Sequence, residues 1–335
     1  MKSFRNLNAR SAQEAAAMMA QNPNSMVVGG GSDLLGMIKE RIVTPDVLVN
    51  FKPQPELSGI MAKIRVGPTL PSSIAELSLG GFVTLDAISH DPSIRTNFRV
   101  LAEAAGQVGT PQIRNAGTLA GNLMQRPWCW YYRNNFPCYK NGGNQCFSVV
   151  GENEFHAIFG GGPSYIVHPS DTAVALVALD ARFRIVGNAA ERQVNAGDFF
   201  TLPTLNPARE NSLLANEVLA EVILPGPKSG TRSTYTKILD REAWTHAVIS
   251  VAAVLEMDGD VCRSARVVLG GVAPIPWRLP EVEKMLTGQK ITEELAARAG
   301  EKAVEGARPL AKNGYKVPLT RSVVKQTLLS LGATA

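Results

Sequence analysis

The chain reads as a succession of short apolar segments separated by polar and glycine-rich turns. Residues 11–21 (SAQEAAAMMAQ) predict a short helix, with Ser11 as N-cap and Glu14 completing a capping box. Ser25–Val28 predicts a strand running into Gly29-Gly30-Gly31, followed by a second helix from Ser32 to about Ile42. After Pro45 the apolar run VLVNF at 47–51 predicts another strand, which completes a small α/β unit. Ile64-Arg65-Val66-Gly67 begins a further strand unit. A helix from Ser72 and a long helical region through Leu101–Val108 follow.

The segment from Arg126 to about Phe159 breaks this rhythm. It is rich in Asn, Gly, Pro and aromatic residues, has neither hydrophobic period, and reads as a loop-rich insertion. Loops this long are usually functional or disordered, and the aromatics with three cysteines argue against disorder. Beyond it, Asp171–Asp180 (DTAVALVALD) predicts a buried helix and Phe183–Val186 a strand. Pro225-Gly226-Pro227 marks a linker. Tyr235–Leu239, Ala247–Leu255 and Ala265–Leu269 then read as strands, followed by helices at about 292–306 and 319–331. Strands followed by helices predict a separate α+β domain. A length of 335 residues, more than one core usually holds, agrees with two domains.

Composition narrows the function classes. Apolar residues make up 45% and charged residues 19%, which is globular rather than disordered. The net charge of +5 is scattered along the chain, with no basic run of the kind nucleic-acid binding requires. That balance suits an anionic cofactor or an acidic partner. No stretch reaches the roughly 18 apolar residues of a membrane span. The N-terminus MKSFRNLNAR lacks a secretory pattern. A cytoplasmic protein is expected, or a periplasmic one if a partner carries the export signal.

Three motifs carry candidate chemistry. Val27-Val28-Gly29-Gly30-Gly31-Ser32-Asp33-Leu34-Leu35 is a strand delivering three glycines to a helix start, which suits a pyrophosphate. It lacks the spacing of the Rossmann fingerprint and the Gly-Lys-Ser/Thr of a P-loop; a plain tight turn with Ser32 as N-cap is the alternative. Thr110–Asn122 alternates polar side chains with glycines, so that backbone amides stay approachable around Thr118. His168-Pro169-Ser170-Asp171 places a carboxylate at the head of an apolar helix, either as a ligand group or as a helix cap.

Taken together, VVGGGSDLL at 27–35, IRNAGTLAGNL at 113–123, HPSD at 168–171 and LGGVAPIPWR at 269–278 resemble the FAD-binding (medium) subunits of the xanthine dehydrogenase and molybdenum hydroxylase superfamily. The resemblance is nearest to those of bacterial three-subunit aldehyde or xanthine dehydrogenases, and it spans nearly the whole chain. It implies an α+β fold: a PCMH-type FAD-binding domain of two α/β subdomains at 1–226, then a C-terminal domain at 227–335, with an antiparallel sheet and helices, closing over the flavin. It further implies that Val27, Val28, Gly29, Gly30, Gly31, Ser32, Asp33 and Leu34 form the first pyrophosphate loop. Thr118, Leu119, Ala120, Gly121 and Asn122 would form the second. Asp171 matches an aspartate near the ribityl or pyrophosphate groups, Leu219 an adenine- or flavin-side contact, and Lys237 a lysine approaching the isoalloxazine. Ser32 stands where the family usually has threonine and keeps the hydroxyl.

Cys129, Cys138 and Cys146 all fall in the insertion, about 125–165, while Cys262 stands alone and reads as a small buried hydrophobe. A disulfide framework does not fit a chain of this size. In relatives with an insertion here, four cysteines hold a 4Fe-4S cluster, and the fourth position is Ser164 in this chain. Serine gives up its proton far less readily than a thiol with a pKa of about 8.5. A 4Fe-4S cluster with a non-cysteine ligand, a 3Fe-4S cluster, a labile zinc and an empty loop are therefore the alternatives, with His156 a further possible ligand. Trp128, Trp130, Tyr131 and Tyr132 read as packing residues.

The chain lacks the C-x4-C-x2-C pattern of a 2Fe-2S domain. The resemblance implies a small 2Fe-2S partner and a large molybdopterin partner that hydroxylates the organic substrate. Electrons would pass through FAD to NAD, oxygen, a quinone or a ferredoxin, and no catalytic residue is expected in this chain. The alternatives are a self-contained flavin oxidase, for which the four histidines offer no attachment motif, and a non-catalytic assembly protein on the same fold.

Overall fold

The computed structural model describes residues 1–51, 55–65, 73–241 and 246–332. Three sheets organise them. The first is parallel: β1 (Arg5–Ala9), β2 (Ser25–Val28) and β3 (Val47–Phe51), in the order β1-β3-β2. The helix Ala12–Gln21 crosses over it and buries Ala12, Ala15, Ala16 and Met19. Ser11 caps that helix, accepting the Glu14 amide at 3.0 Å. The expected capping box is displaced by one residue, because Glu14 accepts from the Arg10 amide rather than from Ser11.

The second sheet is antiparallel, with β4 (Ile60–Arg65), β5 (Ser73–Gly80), β6 (Arg182–Gly187), β7 (Glu191–Asn195) and β8 (Glu217–Pro225) in the order β4-β5-β8-β6-β7. A strand stands here where the sequence predicts a helix. Val66, Gly67 and Ser72 lie outside the described residues, but Ser73–Gly80 is a strand and not the start of a helix. Its Ala, Glu and Leu residues favour a helix locally. Pairing with β8, which sets Leu77 opposite Leu224 and Leu79 opposite Val222, overrides that preference.

The third sheet is also antiparallel: β9 (Thr231–Ile238), β10 (Ile249–Asp258), β11 (Val261–Gly270), β12 (Trp277–Arg278) and β13 (Gln289–Lys290), with β10 and β11 forming its centre. The helices Pro280–Leu286, Glu293–Ala303 and Lys316–Gly332 share a core with this sheet that includes Val251, Leu255, Val267, Leu295 and Val324.

Two helices lie between the second and third sheets. Arg99–Gly106 and Asp171–Ala178 join one core that also contains Phe183 and Val222 from the second sheet and Tyr235, Ala252 and Val268 from the third. Every residue of Asp171–Ala178 is buried, which explains why its sequence is apolar on all faces.

The insertion is attached at both ends of its path. Lys140 reaches Glu210 in a buried ion pair. At the far side Asn313 donates to the His156 carbonyl at 3.0 Å, and the Lys316 ammonium donates to the carbonyls of Phe155 (3.0 Å) and Gly271 (2.7 Å). Lys316 is fully buried, and burial lowers its pKa to about 7. Since an unfolded lysine titrates near 10.4, the unfolded chain binds more protons between these values, and folding gains stability as pH rises. The denaturation midpoint is therefore expected to climb from pH 7 to pH 9. Lys316→Met should flatten that climb relative to the parent in urea titrations across the same range.

Candidate cofactor site

The first glycine loop follows β2 and lies directly on the second. A Cβ at Gly30 would overlap the Ala116 carbonyl, and one at Gly29 would sit 2.6 Å from Thr118 Oγ1. Gly31 has φ of 73°, the left-handed region that favours glycine. The expected role of Gly30 therefore changes. Its missing side chain lets the two loops touch each other. The helix after the first loop spans only Leu34–Lys39, and its N-cap is Asp33 rather than Ser32. The Asp33 carboxylate accepts the Arg126 amide at 2.9 Å and pairs with Arg133 at 2.8 Å, tying the loop to the start of the insertion.

The second loop is shaped by two caps. Thr110 caps Pro111–Ala116, and Thr118 caps Leu119–Met124 by accepting the Gly121 amide at 3.2 Å. Asn122 Oδ1 accepts from Ser170 Oγ (2.6 Å) and Thr172 Oγ1 (2.7 Å), which joins this loop to the HPSD turn. Asp171 is buried at 5% exposure, and both its oxygens are used. The Tyr235 hydroxyl donates to Oδ1 at 2.6 Å. The Lys237 ammonium donates to Oδ2 at 2.7 Å and to the Gln107 carbonyl at 3.0 Å. Burial, and after it the Asp171 charge, holds the Tyr235 phenol well above its usual range. Asp171 is thus more than a helix cap, a role that Ser170 fills by accepting the Ala173 amide.

These parts enclose a cavity of about 630 Å³, within the usual range for a cofactor site. Val27, Gly29–Leu34, Thr118, Ala120, Gly121, Asn122, Asp171 and Leu219 all line it. Val28, Leu119 and Lys237 do not; Lys237 sits behind Asp171 and orients it. The lining also includes Phe82, Val218, Glu210, Trp128 and His246, which sequence reasoning missed. One signal was available, since Gly80-Gly81 precedes Phe82 and a Cβ at Gly81 would lie 2.5 Å from the Leu219 carbonyl.

In the insertion, Tyr131 packs on Phe136 (5.2 Å) and Phe147 (6.0 Å), and Tyr132 is buried, as expected of packing residues. Trp128 and Trp130 are instead 46% and 67% exposed. Cys129 Sγ lies 3.4 Å from His156 Nε2, and Cys146 Sγ lies 3.1 Å from Ser148 Oγ. Burial raises the Cys129 thiol to about 11; the amides of Tyr132 and Tyr131 oppose this, while Cys146 and Cys138 add to it. Ser164 is buried and has no hydrogen bond to a cysteine among the described residues. Nor do the described residues contain three or more His, Cys, Asp or Glu side chains set around one metal ion, so the arrangement does not fit a single zinc.

The FAD binding domain of molybdopterin dehydrogenases matches residues 2–227, and the C-terminal domain of the CO dehydrogenase flavoprotein matches residues 234–331. This chain belongs to the FAD-binding medium subunits of the molybdenum hydroxylase family. It is 32% identical to the aldehyde oxidoreductase FAD-binding subunit PaoB of Escherichia coli, over the full length of both chains. It is 27% identical to the carbon monoxide dehydrogenase medium chain of Hydrogenophaga pseudoflava, over 95% of this chain and 93% of that one. A structure of carbon monoxide dehydrogenase from the same organism, lacking the Mo-pyranopterin moiety, superposes with a TM-score of 0.75 at 24% identity. It covers 98% of this chain and 97% of its own. The medium subunit is an oxidoreductase component with the α+β fold expected from its motifs.

The cavity fits FAD in this medium subunit: two touching glycine loops in its wall suit a pyrophosphate, and apolar walls at Phe82, Val218 and Leu219 suit a ring system. Gly30→Val should force the loops apart and leave the purified protein largely free of flavin, read from its absorbance ratio. Asp171→Ala leaves Lys237 and Tyr235 buried without their acceptor. A loss of about 3–5 kcal/mol is expected in chemical denaturation, together with weaker flavin retention. Full flavin content in both variants would remove these residues from the site.

Proposed function

We propose that this chain carries electrons between partner subunits and an external acceptor, by way of FAD held in the 630 Å³ cavity. The observation that carries the reading is the convergence of both glycine loops, the Asp171 carboxylate and Leu219 on one space. Bound FAD supplies the chemistry that joins one-electron carriers to a two-electron acceptor. The chain's own residues bind and orient. The glycine loops receive the pyrophosphate, and Lys237 and Tyr235 hold Asp171 in one position in the cavity wall. The buried setting of Asp171 and Tyr235 limits water at that end.

A medium subunit implies a smaller and a larger companion. In this proposal the large one oxidises its substrate at molybdenum, and the small one delivers the two electrons singly through 2Fe-2S clusters. The acceptor is NAD, oxygen, a quinone or a ferredoxin. The flavin-binding part ends near Gly226, and the rest closes over the flavin.

The proposal includes an iron–sulfur cluster, 4Fe-4S or 3Fe-4S, at Cys129, Cys138 and Cys146. A cluster needs thiolates carried on folded loops, and the packing of Tyr131 with Phe136 and Phe147 supports such a loop. His156, at 3.4 Å from Cys129, favours a histidine over Ser164 as the fourth group near the sulfurs.

Anaerobic purification with flavin and iron counts tests the whole. About one FAD and about three or four irons per chain are expected. Cys138→Ser should lose the iron and keep the flavin. A colourless parent protein would end the electron-transfer reading; a yellow parent without iron would end the cluster alone.

A further inference from the structure

Trp128 and His246 come from distant parts of the chain, the insertion and the segment leading into β10, yet both line the cavity. Their rings meet in a tilted contact, with centroids 5.1 Å apart and planes 33° from parallel. The Arg133 guanidinium lies over the Trp128 ring at 4.3 Å. Arg133 is fixed in turn by Asp33 of the first glycine loop (2.8 Å) and by the carbonyls of Arg126 (2.8 Å) and Pro127 (2.9 Å). Trp128 Nε1 donates to Gln125 Oε1 at 3.3 Å. The tryptophan is thus held by Arg133, itself tied to the first glycine loop, and met by the histidine. Such an assembly is firmer than one isolated ring, because the cation–π contact and the ring–ring contact each add to it.

Asp171 and His246 also line one small neighbouring cavity together, so the pair stands at the Asp171 end. His246 precedes β10, and in the proposed function the sheet containing β10 closes over the flavin, which would put the isoalloxazine at this end. A nicotinamide must stack on that ring to take a hydride. Dioxygen must reach its edge in solution, and closing the site excludes both solvent and side reactions.

We propose that the Trp128–His246 pair, backed by Arg133, covers the flavin ring and determines specificity for the acceptor: it disfavours nicotinamide and dioxygen and leaves outer-sphere acceptors, of the quinone class, as the electron outlet. The proposal rests on the FAD reading above. These are specificity residues.

The test uses the full-length, flavin-loaded chain with His246→Ala, Trp128→Leu, the ring-preserving His246→Phe, and Trp130→Leu as a control outside the cavity lining. Two quantities are read beside the flavin content. One is quenching of flavin fluorescence by iodide. The other is the rate at which the dithionite-reduced protein is reoxidised by oxygen, two electrons and two protons passing to O2 to give hydrogen peroxide, compared with benzoquinone. Iodide quenching and the oxygen rate should rise severalfold in His246→Ala and Trp128→Leu, with His246→Phe and Trp130→Leu near the parent and the benzoquinone rate little changed. Parent-like quenching and oxygen rates in both truncations at full flavin content would overturn the proposal. So would an equal rise in Trp130→Leu, or a parent protein reoxidised by NAD+ as fast as by benzoquinone. A parent that binds no flavin would instead defeat the FAD reading.

Discussion

The Asp171 carboxylate is the point on which the arrangement turns. It sits at the start of a helix with no solvent-facing side, and it takes its two donors from one strand of the third sheet, Tyr235 and Lys237 on β9. A buried carboxylate is costly unless it is paired and hydrogen-bonded, and here both oxygens are satisfied. The same residue lines the cavity, so the contact that joins the two halves of the chain also fixes one wall of the cofactor site. Asn122, Ser170 and Thr172 extend this junction to the second glycine loop. Binding geometry and domain packing are therefore set by one group of side chains.

Much of this was legible in the residues, for physical reasons. Glycine runs and a carboxylate at a helix start are local signals, and both fell where the chain lines its cavity. The central helix was legible because continuous apolarity over Asp171–Ala178 can only mean burial on every side. What escaped was non-local. Ser73–Gly80 read as helical because its partner, β8, lies far along the chain. Asp33 read as a loop residue, but its ion-pair partner is Arg133 in the insertion. Gly30 read as room for a phosphate to approach the backbone, but the neighbour its missing side chain admits is the Ala116 carbonyl, which no spacing rule reveals.

The insertion shows the same division. Its aromatic residues announced a folded segment, and Tyr131 with Phe136 and Phe147 provides the internal packing. Its attachment could not be read. Lys140 reaches Glu210, and the Asn313–Lys316 region holds the carbonyls of Phe155 and His156. Each contact spans a long stretch of sequence. The cysteines are presented on a loop stapled to both halves of the protein, and its position relative to the cavity is set by these staples.

The helix between the two sheets also constrains how the cofactor can enter. Separating the halves like a hinged book would expose Val174, Leu176 and Val177 together with the strands that cover them. Each Val or Leu so exposed costs about 1.5–3 kcal/mol. Wholesale opening is therefore a rare event in the assembled chain. Loading and exchange of the flavin must proceed through the mouth of the cavity, by local movement of side chains there, or else accompany folding before the third sheet docks. The rate of cofactor exchange in the finished protein is then a property of a few residues at the rim, largely decoupled from global stability.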